Sequence, residues 1–343
     1  MAIVASVIAP SFCGFGGATA GPNPGPNLGK ADFHRPKSIP FPPGNPYTEA
    51  KDRLGRKLFL DPVLSGSGQR SCASCHIPEL SWSDGLARAM GLGGKPLPLR
   101  TPTLLNIAWV PVPGWHGKFQ DLEDVAFTPI TSARLMNRKE EDLIAALSAI
   151  PAYSRLFADA FPHGAISRRN IELALATFQR TIVSGIAPFD RWIEGDESAI
   201  DEAAKRGFEL FKGKAQCAEC HKGWVFTDAS FYDIGTAQKD DIGRAKIYPN
   251  SIKLRYAFKT PTLRNVALRA PYMHDGSVAT LEATIDLYDR GGVKRPSQSE
   301  LIKPLHLTTQ EKAELVAFLK TLTETEWSPS KPAPSQPSTA SSR

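Results

Sequence analysis

The 343-residue chain has no run of about 20 apolar residues beyond its first twenty, so no transmembrane helix is predicted. It has no basic run interleaved with aromatics. The net charge of +6 is spread thinly, which argues against a nucleic-acid partner and leaves room for an acidic protein partner. Alternating strand patterns are scarce. Cysteine is also scarce, with five in all: Cys13, Cys72, Cys75, Cys217 and Cys220. Cys13 lies in a segment that reads as a leader. Residues 1–20 are small and apolar and end in Ala18-Thr19-Ala20, the form of a signal-peptidase site, but they lack the usual basic start. A disordered N-terminal tail is the competing reading of this segment.

What is present is a pair of motifs. Cys72-Ala73-Ser74-Cys75-His76 and Cys217-Ala218-Glu219-Cys220-His221 are both Cys-x-x-Cys-His, the attachment signal for haem c. Two thiols at this spacing reach the two vinyl groups of one haem. The adjacent histidine then lies under the iron. A redox dithiol or half a zinc site would use the cysteines alone, and no further cysteine pair is there to complete a zinc site. Cys72, Cys75, Cys217 and Cys220 are therefore expected to bind two haems covalently, with His76 and His221 as axial ligands. Covalent haem attachment favours export, so a periplasmic protein is expected.

The landmarks around the motifs repeat. Gly55-x-x-Leu58-Phe59, the first haem motif, Thr101-Pro102-Thr103-Leu104-Leu105-Asn106, His116-Gly117 and Leu122-Glu123 occur in one order. Gly207-x-x-Leu210-Phe211, the second motif, Thr260-Pro261-Thr262-Leu263-Arg264-Asn265, His274-Asp275-Gly276 and Leu281-Glu282 follow in the same order. Residues 141–150, 167–183 and 309–321 carry apolar side chains at helical spacing, with Ser167 and Thr309 as N-caps. The expected fold is mostly α: two tandem cytochrome c-like haem domains related by internal duplication, over residues 46–195 and 196–325. Residues 1–20 read as a signal peptide, 21–45 as a Pro/Gly-rich linker and 326–343 as a disordered tail.

The duplicated frame is unequal at one place. Six residues beyond Glu282 stands Tyr288, whose phenolate is able to ligate iron; six beyond Glu123 stands Pro129, which has no side-chain donor. The frame thus predicts a closed second haem, suited to electron transfer, and an open first haem, suited to binding peroxide. An ordinary buried helix tyrosine is the competing reading of Tyr288.

With these motifs in view, residues 47–323 resemble the bacterial di-haem cytochrome c peroxidases and the MauG-like di-haem enzymes. The marks are the two haem motifs, Leu58-Phe59, Thr101-Pro102-Thr103-Leu104, Trp115-x-Gly117-Lys118, Pro261-Thr262-Leu263-Arg264-Asn265 and Pro271-Tyr272-Met273-His274-Asp275-Gly276. In the peroxidase branch a methionine ligates the second haem fourteen residues after the last motif's histidine. Here that position is Tyr288, as in the MauG-like branch, with Met273 and His274 as alternatives. The resemblance implies that Trp115 sits between the haems and carries electrons. Core packing is its competing role. It also implies a calcium ion near Thr101, Lys259 and Pro261, oxygen donors of the type calcium takes. The family's distal glutamate and glutamine fall on Leu135 and Val125. Glu123, Asp124 or His116 would then have to serve as acid or base, or peroxide turnover would be slow. The segment 84–100 lacks the histidine that closes the first haem in peroxidases, and Met90 is its one sulfur candidate. The functions implied are a peroxidase fed by a small cytochrome c or cupredoxin, a MauG-like oxidase of a protein or organic substrate, or a non-catalytic di-haem electron carrier. The resemblance also allows a homodimer.

Overall fold

The computed structural model describes residues 28–325, so the leader and tail readings (1–20 and 326–343) lie outside the described residues. The elements are overwhelmingly helical. In the first half these are α1 (Glu49–Leu60), α2 (Leu122–Thr131), α3 (Glu140–Ser148), α4 (Pro151–Ala160) and α5 (Arg168–Arg180). After the short α6 (Pro188–Ile193) come α7 (Glu202–Lys212), α8 (Leu281–Asp289) and α9 (Thr309–Lys320). Among the described residues the only sheet is a two-residue pair, β1 (Phe231–Tyr232) antiparallel to β2 (Phe258–Lys259).

Each half is built on one helix crossing. Gly55 of α1 lies against α5, where an added Cβ would meet the Ala174 carbonyl oxygen at 2.0 Å. Gly207 of α7 lies against α9 in the same way, 2.0 Å from the Glu314 oxygen. Glycine is required at both positions because the helix backbones touch there. Each crossing seeds its own core. One contains Leu58, Phe59, Phe127, Leu175 and Phe178. The other contains Phe189, Phe208, Phe211, Phe226 and Phe318.

The repeat extends to single hydrogen bonds. Asn106 and Asn265 both hold left-handed backbone, with φ of 58° and 54°. The side chain of Asn106 accepts from Ser184 N at 2.9 Å, and that of Asn265 accepts from Glu324 N at 3.0 Å. Each asparagine thereby fixes the chain just after the last helix of its half. Helices α2 and α8 share a register: Asp121 and Thr280 cap them through Asp124 N and Ala283 N. Pro129 and Tyr288 therefore occupy equivalent helical positions.

Two readings of the sequence need adjustment. The cap of α9 is Thr308, one residue earlier than expected. Its hydroxyl accepts from Glu311 N at 3.2 Å, and Glu311 accepts from Thr308 N at 2.7 Å. This is a capping box, legible as Thr308-x-x-Glu311. The larger difference is the 21–45 segment. Its described part is a packed strap rather than a free linker. Phe33 is wholly buried among Phe189, Phe208 and Phe226, with ring centroids at 5.1–6.0 Å. Arg35 donates to the Ser184 carbonyl at 2.6 Å, and Asn45 is buried beside Glu123. One buried aromatic is enough to pin a Pro/Gly-rich chain, and composition does not reveal it.

Candidate active site

Each haem motif opens with a short 3-10 turn, Cys72–Ser74 and Cys217–Glu219. The turn brings the histidine N–H back to the first cysteine's carbonyl: His76 N to Cys72 O at 3.0 Å, and His221 N to Cys217 O at 2.9 Å. Both cysteines of a motif and its histidine are thereby gathered at one place. The imidazoles are then oriented alike. His76 Nδ1 lies 3.1 Å from the Trp82 carbonyl, and His221 Nδ1 lies 2.9 Å from the Phe226 carbonyl. A ring whose Nδ1–H donates to a carbonyl presents a free Nε2 lone pair, the state an iron ligand needs. Burial lowers the pKa of both imidazoles, which keeps them neutral. Burial also pushes the thiols of Cys72, Cys217 and Cys220 up to about 12. Paired thiols beside a histidine, with no second cysteine pair brought to either motif among the described residues, fit thioether attachment to a haem. All four cysteines are free of disulfides. The residues present therefore fit one haem c per half.

The two halves differ above these histidines. Tyr288 of α8 lies beside Cys217 and Cys220, and burial raises the pKa of its phenol. The equivalent Pro129 sits inside α2 and offers only its carbonyl, which accepts from Met136 N at 3.3 Å. Leu135 is half-buried and packs on the first core. Val125 packs on an apolar cluster of Ile107, Val110, Leu122, Ala176 and Ala229, the last from the second half.

The acid–base candidates separate. Glu123 is buried and engaged: Arg180 donates to both its oxygens at 2.6 and 2.7 Å, and Asn45 donates at 2.8 Å. Burial alone would raise its pKa, but these hydrogen bonds outweigh burial and hold the carboxylate below its ordinary value. Asp124 is exposed and accepts from Gln120 N. His116 leans on Phe258, its Nε2 is buried without a partner, and burial together with Lys246 pulls it down to about 4. His274 stacks on Phe258, with ring centroids 3.7 Å apart, and its Nε2 bonds Asp241 at 2.8 Å.

Trp115 bridges the halves. Its indole N–H donates to the Arg100 carbonyl at 3.0 Å, and its own carbonyl accepts from Lys259 N at 2.9 Å. Arg100 and Lys259 are repeat equivalents, each preceding a Thr-Pro-Thr-Leu. The segment 84–100 is a hydrogen-bonded ribbon: Ala89 N reaches Leu99 O, and Gly91 N reaches Lys95 O. Arg70 clamps it by donating to the carbonyls of Met90 and Gly91 at 3.0 and 2.9 Å. Arg88 ties it to Asp275 of the second half at 3.8 Å.

Of the oxygens expected for calcium, both of those on Thr101 are already engaged within the chain. The Thr101 hydroxyl donates to Asp84 at 2.6 Å, and its carbonyl accepts from Ser83 at 2.8 Å. Arg100, the residue before Thr101, and Lys259 are both cations. Among the described residues no group of three His, Cys, Asp or Glu side chains is placed to hold a metal ion. Among the same residues no helix is long and apolar enough to cross a membrane.

Comparison with known proteins accords with this geometry. Residues 49–198 match the family model of di-haem cytochrome c peroxidase, and residues 204–323 match that of cytochrome c. The chain is 53% identical to the methylamine utilization protein MauG of Methylorubrum extorquens, over 85% of this chain and 84% of that protein. It is 33% identical to cytochrome c551 peroxidase of Nitrosomonas europaea, over 79% of each chain. The crystal structure of a MauG-like protein associated with microbial copper homeostasis superposes with a TM-score of 0.78 at 34% identity, covering 87% of this chain and 95% of that one. Two covalently bound haem c groups follow from the paired motifs and these matches. A mostly helical chain with two haem sites in tandem, unequal at Pro129 and Tyr288, thus belongs to the di-haem cytochrome c peroxidase family, with the MauG proteins among its relatives.

Proposed function

We propose that this chain reduces hydrogen peroxide at the N-terminal haem in the MauG-like manner, drawing electrons through the C-terminal haem from a partner protein or organic substrate that is thereby oxidised. The observation that carries this reading is the position of Tyr288 beside the second pair of haem cysteines, where the repeat gives the first half a proline. His221 and Tyr288 would hold the iron of the second haem, and His76 would hold that of the first without a second side chain from Pro129. When bound, the N-terminal haem supplies an iron site for peroxide and the C-terminal haem supplies a reservoir of electrons.

The protein's own residues then act on four points. His76 and His221 hold their rings by Nδ1–H bonds to backbone carbonyls. Trp115 is fixed at both ends between the halves and is the bridge for electrons. Leu135 and Val125, which stand where the family has its distal acid and amide, would offer no proton donor to peroxide at the first haem, so turnover there would be slow. Glu123 does not serve that need, because both its oxygens are held by Arg180. His116, low in pKa, is neutral at pH 7 and acts at most as an acceptor. Arg70 holds the ribbon 84–100, which carries no histidine able to close the first haem, through the carbonyls of Met90 and Gly91. The paired motifs support a periplasmic setting, where covalent haem attachment normally belongs.

The second reading is a peroxidase fed by a small reduced cytochrome c or cupredoxin, favoured by the relatives named cytochrome c peroxidase. Stopped-flow mixing of the holoprotein with peroxide separates the two. The MauG-like reading expects an oxidised state that persists when reduced small cytochrome is present. Rapid oxidation of that cytochrome over many turnovers would replace it with the peroxidase reading.

A further inference from the structure

Where the two halves meet, three cationic side chains converge without an anion. Arg100 is buried and uses one of its five donors in a bond to the Arg269 carbonyl at 3.0 Å. Arg269 donates Nη2 to the Thr262 carbonyl at 2.5 Å, and its Nε is buried with no partner at all. Lys259 reaches only the Thr260 carbonyl, at 3.5 Å. Arg269 is close enough to Arg100 and Lys259 for their charges to repel one another.

The acids facing this group are committed elsewhere. Asp84, opposite Arg100, accepts from the Thr101 hydroxyl, and Asp228, opposite Lys259, accepts from the Tyr232 hydroxyl at 2.7 Å. Tyr272, facing both arginines, donates its hydroxyl to the Val266 carbonyl. Among the described residues none of the three cations forms a salt bridge. Arg100 is buried and Lys259 and Arg269 are half-buried; like charges drawn partly out of water without a counter-charge are unfavourable, so the cluster calls for an anion that the chain does not itself supply. Planar guanidinium forks and an ammonium suit carboxylates, which they bind by paired and point contacts respectively.

We propose that Arg100, Lys259 and Arg269 form one shared anion pocket at the seam between the halves, filled by propionate carboxylates of the two haem c groups. The duplication supports this: Arg100 and Lys259 are the same position of the repeat, so each half brings one cation to its own haem, and Arg269 has only Val110 as its counterpart. Arg100 and Lys259 also grip Trp115 from opposite ends. The pocket thus ties both cofactors to the electron bridge. This inference rests on the two-haem reading above.

The test is a spectroelectrochemical titration of the holoprotein, with haem per chain measured on the same samples. Lys259→Met and Arg269→Met remove one positive charge each beside an iron, and Lys259→Arg restores it. Both methionine variants are expected to lower the reduction potential of the C-terminal haem, and Lys259→Arg to return it toward the parent value. Lys214→Met, on the surface beside Glu311, is expected to leave it unmoved. Unchanged potentials in both methionine variants would overturn the pocket. The parent protein is also titrated with inorganic phosphate. Indifference to phosphate is expected, because a covalently tethered carboxylate is not displaced. A saturable shift in the parent's potential would instead assign the pocket to a free anion. Fewer than two haems per chain in the parent protein would overturn the two-haem reading and the shared pocket together, whereas unchanged potentials in a protein carrying both haems would overturn the pocket alone.

Discussion

Replacing Glu123 with glutamine separates a structural carboxylate from a catalytic one. In the parent, both oxygens of Glu123 accept from Arg180, and the two side chains are only 5% and 6% exposed. Glutamine keeps one acceptor for Arg180 or Asn45 but leaves the guanidinium charge buried and unbalanced. Breaking a buried pair from one side costs about 3–5 kcal/mol. In a unit of this size each kcal/mol moves the melting temperature by about 2–4 °C, so a fall on the order of 6–20 °C is expected. Thermal unfolding of the holoprotein, followed by circular dichroism, reads this directly. The repeat supplies the control: Glu282 occupies the equivalent position but is exposed, so Glu282→Gln should stay within about 0.5 kcal/mol of the parent. The pH dependence has a definite sign. The folded pKa of Glu123 is depressed, so the pair's contribution is fully present above the ordinary glutamate value of 4.5 and is lost as pH falls through the lower folded value. The gap between parent and variant should close in that acid window. A general acid or base contributes about 10²–10⁴-fold to rate. A loss of that size in peroxide consumption, at a temperature where the variant is fully folded and with its melting point unmoved, would refute the structural assignment.

Three further outcomes follow from the same geometry. Tyr288→Phe should add a high-spin signal from the C-terminal haem in the resting spectrum; an unaltered spectrum would remove Tyr288 from the iron. Leu135→Glu should speed peroxide consumption by about 10-fold or more if the missing acid limits the reaction, since even the low end of acid–base catalysis exceeds that; no gain in a stopped-flow assay would place the limit elsewhere. Gly207→Ala forces a Cβ onto the Glu314 carbonyl and should destabilise the second half by at least the about 1–3 kcal/mol usual for overpacking, read by chemical denaturation. Gly29→Ala, with nothing within 4 Å, is the neutral comparison.

Much of this arrangement was legible in the chain because the motifs are local. The haem cysteines, their histidines and the capped helix from Ser167 depend on neighbours a few residues away. The repeat added the equivalence of Pro129 and Tyr288, which the shared register of α2 and α8 bears out. What sequence left hidden depends on partners far along the chain. Glu123 reads as a free carboxylate until Arg180, 57 residues on, is folded against it. Arg100 and Lys259 read as ordinary surface charges until the halves meet around Trp115. Phe33 was lost in a Pro/Gly-rich stretch because burial is a property of the assembled core. The cap at Thr308 was readable and missed, since Glu311 three residues later already marked it.

The Phe33 strap has a consequence for how the chain reaches its native state. Phe33 is made more than 150 residues before its socket, which is lined by Phe189, Phe208 and Phe226. His34 and Lys212 add contacts across separations of 160 and 184 residues. Loop closure over such distances comes late and slowly, so the C-terminal core must wait with an open aromatic cleft for a ring already synthesised. Until it closes, that cleft is a sticky surface, and a chain lacking Phe33 would keep it permanently.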